Sequence, residues 1–360
     1  MSAANHSSAI ALAHALASTA VPADVHAQRL DGKQRPWQGT GVPIKRGESY
    51  SLFASGIIHW SAHHPELYAG PGFHLWARVW PQGRVVNVTR DSGSFVADQD
   101  GEIQLGIYLG MWQDAYGALD TPDSAYAKLR GSLEVCLVKW HGTATDGLDQ
   151  LGGIAGHTLL HTERMRLANQ RRLPSDWDYL LEIGTTDVFQ DCTHSVGDDQ
   201  RICLHALDEQ AIVRKPIDFP LTPATRLSWR WQLEQHPSER PENTPHTHDY
   251  ISVAAEFDNG RDLTWIWSSS LPVDSWFDCP IKAWRARETH YVVRSGKMPA
   301  TDFIPEERNV HDDVARTMGP PSSRIVAVWL IVVASFQHGT ARAEFKDIRL
   351  RDGQRTVKVL

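Results

Sequence analysis

Residues 227–231 read Leu-Ser-Trp-Arg-Trp, and residues 265–267 read Trp-Ile-Trp. Alternate side chains of an extended strand point to the same face, so each segment places its two tryptophans on one side of a strand. Such stripes are typical of the core of a β-sandwich, and an indole face that is exposed can instead stack on a sugar ring. Both interpretations rest on the same prediction, that this part of the chain folds as strands.

Short strand-forming segments continue on both sides of these tryptophans. The strands predicted beyond residue 176 cover residues 201–206, 227–232, 250–257, 263–268, 290–294, 325–335 and 345–350. Helical periodicity there is confined to residues 310–318, and no Gly-rich phosphate loop precedes a helix, so a nucleotide cofactor is not expected. The pattern predicts an antiparallel sandwich of jelly-roll type over residues 176–360.

Residues 37–140 repeat the pattern of short apolar segments separated by Gly and Pro turns. We therefore predict an all-β protein with two antiparallel, jelly-roll-like β-sandwich domains, the first over residues 35–141. Residues 142–156 are rich in Gly, Asp and Thr, and a helix is predicted at residues 157–172. Residues 142–175 are thus expected to be a helical linker between the domains, and residues 1–34 an N-terminal arm or short helix.

The composition is that of an ordinary globular protein, and it excludes several classes of function. Hydrophobic residues make up 41% of the chain, and 36 basic against 43 acidic residues give a net charge of −7. This balance does not favour nucleic-acid binding, and the longest apolar run, residues 325–336, is too short for a membrane-spanning helix. No Lys or Arg precedes Arg29, so a cytoplasmic location is expected, with secretion as the alternative.

The chain has four cysteines and no Cys-x-x-Cys motif. Cys136 lies within the apolar run 133–140 and is predicted to be a buried thiol. Cys192 and Cys203 flank a turn-rich stretch and could face each other across a hairpin. A disulfide and a pair of reduced core thiols both account for these two residues.

The run from Gly41 to Gly56 has the form G-x-x-x-x-x-G-x-x-Y-x-x-x-A-x-G, and compatible segments follow at 70–79, 101–117 and 131–135. Together they resemble bacterial calcium-dependent galactose-binding lectin domains. The resemblance implies a calcium ion, with Tyr50 and Asp114 at matching positions. The Asn residues that usually flank the aspartate are replaced, and hard cations need about six oxygen ligands. We therefore expect a lectin-shaped scaffold without a cofactor, with calcium as the alternative.

The order of motifs after residue 176 resembles the bacterial family called domain of unknown function 3047. The shared features are the Trp-x-Trp strand at 229–231, an acid opening a central strand at Asp249, Arg-Ser-Gly at 294–296 and Arg-Asn-Val-x-x-Asp at 308–313. The chain departs from the family where Tyr250 replaces a second acid, and where residues 334–339 replace an Asp-rich turn. The resemblance implies a β-sandwich fold without implying an activity.

His246, His248 and Asp249 form the candidate catalytic group. Histidines two residues apart in a strand point to one side, which is the arrangement of a His-x-His metal site completed by a third ligand such as Glu256 or His290. Alternatively, Asp249 accepts a hydrogen bond from a histidine that acts as a general base. The third interpretation is a polar loop that enters a strand.

The remaining candidates are aromatic or basic side chains that would contact a ligand. They are Trp60, His63, Trp112, Trp276, Trp284 and Arg308. The function expected is recognition of a small molecule, a sugar, polyol or related natural product, in an aromatic, His-rich cleft. The alternative is a cofactor-independent cyclase, isomerase or lyase that acts on a polyketide-like intermediate by His/Asp acid-base catalysis.

Overall fold

The computed structural model describes residues 8–21, 23–34, 36–87, 91–110, 112–119, 121–151, 157–169, 172–180, 187–193, 199–296 and 302–360. The described residues up to 169 form one compact unit, and those from 172 onward form a second. Each unit contains two facing β-sheets, which confirms the predicted all-β, sandwich-type fold.

The first unit pairs a five-stranded sheet, in the order β1-β9-β3-β4 with β7 also beside β3, with a four-stranded sheet in the order β2-β8-β5-β6. Its strands are β1 (Ala23–Asp31), β2 (Trp37–Ile44), β3 (Ser49–His59), β4 (Tyr68–Ala69), β5 (Leu75–Trp80), β6 (Val86–Asn87), β7 (Ser92–Val96), β8 (Gly101–Ile107) and β9 (Arg130–Trp140). Its helices are α1 (Ala9–Ala17), α2 (Pro71–His74), α3 (Asp123–Tyr126), α4 (Ala144–Gln150) and α5 (Thr158–Asn169).

Alternation of side chains along β9 gives the five-stranded sheet two apolar faces. Val135 and Leu137 pack toward the four-stranded sheet, whereas Cys136 and Val138 pack under α1, α4 and α5. A sheet that is apolar on both faces must be covered on both, and these helices supply the second cover. Cys136 is buried, as predicted.

The described residues of 1–34 and of 142–169 belong to the first unit, and residues 172–175 belong to the second. Within 1–34 the structure has the short helix α1 and also the strand β1, which pairs with β9 along its whole length. The helix predicted at 157–172 forms as α5, but it packs on the first unit and its buried Glu163 accepts hydrogen bonds from Ser92 and Ser94 at 2.7 and 2.6 Å. The sequence pattern identified the helix but not the sheet face that it covers.

The second unit pairs a seven-stranded sheet, in the order β10-β13-β20-β15-β16-β18-β17, with a six-stranded sheet in the order β11-β12-β21-β14-β19, in which β22 pairs with β21. Its strands are β10 (Asp178–Tyr179), β11 (Phe189–Asp191), β12 (Arg201–Leu207), β13 (Gln210–Pro220), β14 (Arg226–Gln235), β15 (Tyr250–Phe257), β16 (Asp262–Ser268), β17 (Trp276–Asp278), β18 (Glu288–Ser295), β19 (Ile304–Asn309), β20 (Arg324–Val333), β21 (Thr340–Arg351) and β22 (Thr356–Lys358), and its helix is α6 (Val310–Thr317). The pairing is antiparallel except between β16 and β18, which run parallel.

The tryptophan stripes meet between these two sheets. The rings of Trp229 and Trp265 lie 5.9 Å apart, and those of Trp231 and Trp267 lie 5.5 Å apart. All four are buried among aliphatic residues of both sheets. The core interpretation of the stripes is therefore correct for these four side chains.

Cys192 and Cys203 form a disulfide, with their Cα atoms 5.7 Å apart. The bond lies at the end of the β11–β12 pair and decides between the two alternatives that the sequence left open. In the described part of the chain, no helix combines the length and the apolar character needed to cross a membrane.

Candidate functional site

An exposed tryptophan marks the edge of the seven-stranded sheet. Trp276 lies on the edge strand β17, directly opposite Tyr291 of β18, and 46% of its surface is exposed. Side chains directly opposite each other in an antiparallel pair lie on the same face of the sheet. The indole therefore extends the face that carries Tyr291 and Trp265 out to solvent, as the sequence prediction for Trp276 requires.

Tyr291 is held in a network of polar side chains beside this tryptophan. Its hydroxyl donates to Asp274 Oδ1 at 2.7 Å and accepts from Arg316 Nη1 at 2.9 Å. Burial, followed by the hydrogen bond to Asp274, raises the pKa of Tyr291. Asp274 has a backbone φ of 66°, a left-handed conformation in which non-glycine residues are uncommon, and which is often found at binding sites.

The guanidinium of Arg308 lies over the ring of Tyr291. Its guanidinium carbon lies 4.7 Å from the centre of the Tyr291 ring, and its Nε and Nη2 donate to Asp313 at 2.8 and 2.7 Å. Asp313 also accepts from Trp265 Nε1 at 2.9 Å. The Arg308–Asp313 pair thus anchors the guanidinium in the core while part of it stays accessible. We call Asp274, Trp276, Tyr291, Arg308 and Arg316 the edge site.

His248, one of the candidate catalytic residues, lies elsewhere in the second unit and is buried. Its Nδ1 lies 2.6 Å from the carbonyl oxygen of Glu242, and its Nε2 lies 3.4 Å from Cys279 Sγ. Its ring centre is 4.7 Å from that of His290, which the sequence had suggested as a further ligand. His246 is exposed and Glu256 pairs with Arg287, so neither of these residues joins His248.

Asp249 does not orient a histidine, which corrects the proposed acid-base pair. Its carboxylate oxygens accept backbone hydrogen bonds from Phe336 at 2.9 Å and Gln337 at 2.7 Å. Burial raises the pKa of Asp249 to about 6, against the effect of these two hydrogen bonds. Neighbouring side chains of an extended chain point in opposite directions, so Asp249 fixes the turn after β20 while His248 faces the other way.

Three further side chains with metal-ligating atoms lie close to the His248 ring: Cys279, Glu288 and His290. We call these four residues the buried cluster: one ligand-type atom from each lies within 4.8 Å of every other. Glu288 Oε1 accepts from Tyr250 at 2.9 Å and Thr264 at 3.3 Å, and Oε2 lies 3.4 Å from His290 Nε2. Burial alone would raise the pKa of Glu288, but the attraction of His290 brings it below its usual value.

The sequence contained a signal for this cluster that the prediction missed. Glu288 and His290 are two residues apart in a strand, so both side chains leave β18 on one face, just as proposed for His246 and His248. Cys279 gave no signal, because its approach to His248 depends on the course of the loop before β18.

The other predicted ligand residues are members of neither group. Trp284 is buried under the guanidinium of Arg287, and Trp112 is buried within an aromatic cluster of the first unit, so neither is an exposed contact. Trp60 is half-buried and donates to His74 Nε2 at 3.2 Å. His63 is exposed in the loop after β3.

The oxygen atoms of the two residues matched to calcium ligands have protein partners. The Tyr50 hydroxyl donates to Glu48 at 2.6 Å inside the first core, and Asp114 Oδ1 accepts backbone hydrogen bonds from Tyr116 and Ala118 at 2.8 and 3.1 Å. Calcium binding at these residues stays a prediction of the resemblance.

An open depression of about 480 Å³ lies across β14, β19 and β21. Trp229 contributes to its lining, and none of the tryptophans predicted to contact a ligand does. Charged side chains in its lining have ion-pair partners: Glu307 pairs with Arg351 at 2.7 Å, and Arg349 pairs with Asp347 at 3.1 Å. We interpret it as a solvated sheet surface.

Comparison with known sequences gives a partial match that spans the buried cluster and part of the edge site. A family described as "Protein of unknown function (DUF3047)" matches residues 191–349, a range that includes Cys279, Glu288, His290 and Arg308. This agrees with the resemblance read from the motifs. The search of curated proteins gave no match.

Three solved structures illustrate how distant the structural likeness is. The EclA N-terminal domain, a PllA-like lectin, is 16% identical with a TM-score of 0.25, covering 32% of this chain and 95% of that one. The xyloglucanase domain of NopAA, a type three effector from Sinorhizobium fredii, is 8% identical with a TM-score of 0.29, covering 45% and 92%. An exo-beta-agarase is 10% identical with a TM-score of 0.24, covering 52% and 24%. Similarity at this level carries no argument about function.

Proposed function

We propose that the second unit binds a sugar or polyol at the edge site. The observation that carries the proposal is the half-exposed indole of Trp276, opposite Tyr291 on the same sheet face. Tyr291 in turn contacts three charged side chains. An indole that only filled the core would be covered, as Trp229, Trp231 and Trp265 are.

The chemistry of the edge site suits a ring that carries hydroxyl groups. The C–H bonds of a pyranose can contact the negative face of the indole, while its hydroxyls need donors and acceptors around the rim. Arg308 and Arg316 supply donors and Asp274 supplies an acceptor, and all three are fixed by contacts to Tyr291. Fixed polar groups around an aromatic platform lower the entropic cost of ligand binding.

A panel of neutral monosaccharides, oligosaccharides and alditols tests this proposal. Binding to the full chain is measured on a glycan array and confirmed by calorimetry for the best probe. Replacing Trp276 with Ala is expected to weaken that binding by roughly 30-fold, about 2 kcal/mol, because central tryptophans contribute energies of this size.

Trp80 provides a matched control, since it is 47% exposed in the first unit. Trp80→Ala should leave the affinity unchanged. Loss of binding in Trp80→Ala with full binding in Trp276→Ala would place the ligand in the first unit and overturn the proposal. The absence of any bound glycan or alditol across the panel would also reject it.

We also propose that the chain functions in an oxidising compartment, the alternative to the cytoplasmic location expected from the N-terminal sequence. The support is the disulfide between Cys192 and Cys203, because such bonds persist mainly outside reducing compartments. The His/Asp acid-base alternative has less support, because Asp249 accepts from the backbone of Phe336 and Gln337 while His248 contacts Glu242.

A further inference from the structure

The buried cluster brings together the donor set of a transition-metal site. It offers imidazole nitrogens from His248 and His290, a sulfur from Cys279 and a carboxylate oxygen from Glu288, all within 4.8 Å of one another. A tetrahedral zinc ion with bonds of about 2.0–2.3 Å separates its donor atoms by about 3.3–3.8 Å. The His248–Cys279 and His290–Glu288 distances, both 3.4 Å, fall in this range.

We propose that the buried cluster binds one zinc ion, which His248, Cys279, Glu288 and His290 hold in a closed structural site. Mixed nitrogen, sulfur and oxygen ligands in tetrahedral arrangement are characteristic of zinc. Binding replaces the S–H bond of Cys279 with an S–Zn bond, and the thiol proton goes to solvent.

The surroundings of the cluster orient the donor atoms inward. The contact of His248 Nδ1 with the Glu242 carbonyl assigns the ring proton to Nδ1 and leaves the Nε2 lone pair directed at Cys279. Glu242 is itself fixed, because its carboxylate accepts from Ser268 Oγ and the Ser269 N–H, each at 2.5 Å. Hydrogen bonds from Tyr250 and Thr264 likewise fix Glu288. Partners of this kind orient ligands around protein-bound metals.

Without an ion, the cluster contains polar atoms that are poorly satisfied. His290 is completely buried, and neither of its ring nitrogens makes a hydrogen bond of good geometry in the described structure, although Nε2 faces Glu288 Oε2 at 3.4 Å. Phe277 stacks on the face of this ring at 5.0 Å. A buried polar atom without a hydrogen bond destabilises the fold. An ion gives His290 a partner and balances the two negative charges of a thiolate and a carboxylate.

Among the residues that the structure describes, a second group with metal-ligating atoms consists of Cys192, Cys203 and Glu344. Its two sulfurs are joined to each other, so they are not thiolates and cannot serve as zinc ligands. The proposal therefore assigns zinc to one site in the second unit.

All four donors of the buried cluster are buried, which leaves no position for a substrate. Catalytic zinc sites keep one coordination position open, whereas structural sites are closed. The ion would connect the loop before β15, the loop after β17 and the start of β18. This inference is independent of sugar binding at the edge site.

The test is metal analysis and cobalt substitution of the full chain with its disulfide intact. The protein is stripped with a chelator, dialysed and titrated with zinc, and bound metal is counted by atomic emission. We expect one tightly held zinc ion per chain and, with cobalt in its place, a thiolate-to-cobalt absorption band in the near ultraviolet. Protein that takes up no stoichiometric zinc after stripping would overturn the proposal.

Variants of the two free cysteines assign the site. Cys279→Ser should lose the cobalt band and weaken zinc binding by at least 100-fold, and Cys136→Ser, a change at the buried thiol of the first unit, should alter neither. Circular dichroism checks that each variant folds. If Cys279→Ser does not fold, the Cys136→Ser protein decides: retention of the band assigns it to Cys279, and its loss refutes the site.

Discussion

His74 in the first unit and His290 in the second are both completely buried, yet their surroundings differ in one respect. Both ring nitrogens of His74 have partners, Nδ1 at 2.7 Å from the Tyr108 carbonyl and Nε2 accepting from Trp60 Nε1 at 3.2 Å. Neither nitrogen of His290 makes a hydrogen bond of good geometry, and its Nε2 instead faces the carboxylate of Glu288 at 3.4 Å. Burial is therefore the same for the two histidines, and their hydrogen-bond partners distinguish them. His74 is a core histidine with satisfied nitrogens, whereas His290 is a candidate metal ligand.

The free cysteines and exposed tryptophans extend the comparison. Cys136 is surrounded by apolar residues of the first unit, whereas Cys279 touches His248. Trp80 lies beside the guanidinium of Arg78, whereas Trp276 lies beside the polar network of Tyr291. His290, Cys279 and Trp276 of the second unit thus each have a counterpart in the first unit of the same residue type and similar exposure. These pairs give every experiment an internal control.

The largest effect is expected from the pH dependence of His74. Burial lowers its pKa from 6.5 to about 4 in the fold, so the unfolded chain binds more protons between these values. The contribution of neutral His74 to the free energy of unfolding is therefore fully present above pH 6.5. It is lost as the pH drops toward 4, by on the order of 3 kcal/mol. Urea unfolding at several pH values, compared between wild type and His74→Gln, measures the contribution. A free energy of unfolding that changes with pH by the same amount in both proteins would contradict the prediction.

The disulfide separates the oxidised cysteines from the two free thiols. Replacing Cys192 and Cys203 with Ser opens a loop with a sequence separation of 11 and should lower the free energy of unfolding by about 2–3 kcal/mol. The zinc content should stay the same, since these sulfurs are not ligands. Intact mass without reductant, after alkylation, should show two modified thiols in the wild type. Four modified thiols would remove the support for an oxidising compartment.

Zinc should stabilise the wild type and not the Cys279→Ser variant. At a free zinc concentration about 100 times the dissociation constant, the gain is about 2.7 kcal/mol, or roughly 5–10 °C in the unfolding midpoint of a unit of this size. A chelator should reverse the shift, and Cys136→Ser should behave as the wild type. Equal chelator sensitivity of Cys279→Ser would show that the ion binds elsewhere.

The smallest effect on stability is expected from the exposed tryptophans. Trp276→Ala and Trp80→Ala should each change the free energy of unfolding by about 1 kcal/mol or less, because both side chains are already half in solvent. The two variants should differ in sugar affinity and not in stability. A much larger destabilisation by Trp276→Ala, measured by urea unfolding, would indicate a structural role for this side chain.

Most strands were predictable because apolar and turn-forming residues alternate locally. The predicted strand at 250–257 has the same bounds as β15, and those at 201–206 and 263–268 differ from β12 and β16 by one residue. Strand β13 was missed, since Pro216 and Pro220 interrupt its pattern. It forms because β20 supplies a partner for both of its ends, with a register shift between Pro216 and Phe219.

The candidate sites were predictable only in part. Trp276, Arg308, His248 and His290 could be named from residue type and spacing, but their partners Tyr291 and Cys279 could not. Glu288 carried a signal in its spacing from His290, which the prediction overlooked. Asp249 carries the right functional group for catalysis, and its use as an acceptor for Phe336 and Gln337 depends on a turn that lies far away in the sequence.

The sequence by itself determined the all-β class, the tryptophan stripes and the similarity of residues 191–349 to an uncharacterised family. These properties follow from local periodicity and motif order, which the linear chain contains in full. Only the tertiary structure decided which buried histidine has hydrogen-bond partners, which thiol meets an imidazole and which tryptophan reaches solvent. The physical reason is that hydrogen-bond satisfaction and burial depend on groups contributed by distant strands, such as β15, β17 and β18 around the buried cluster.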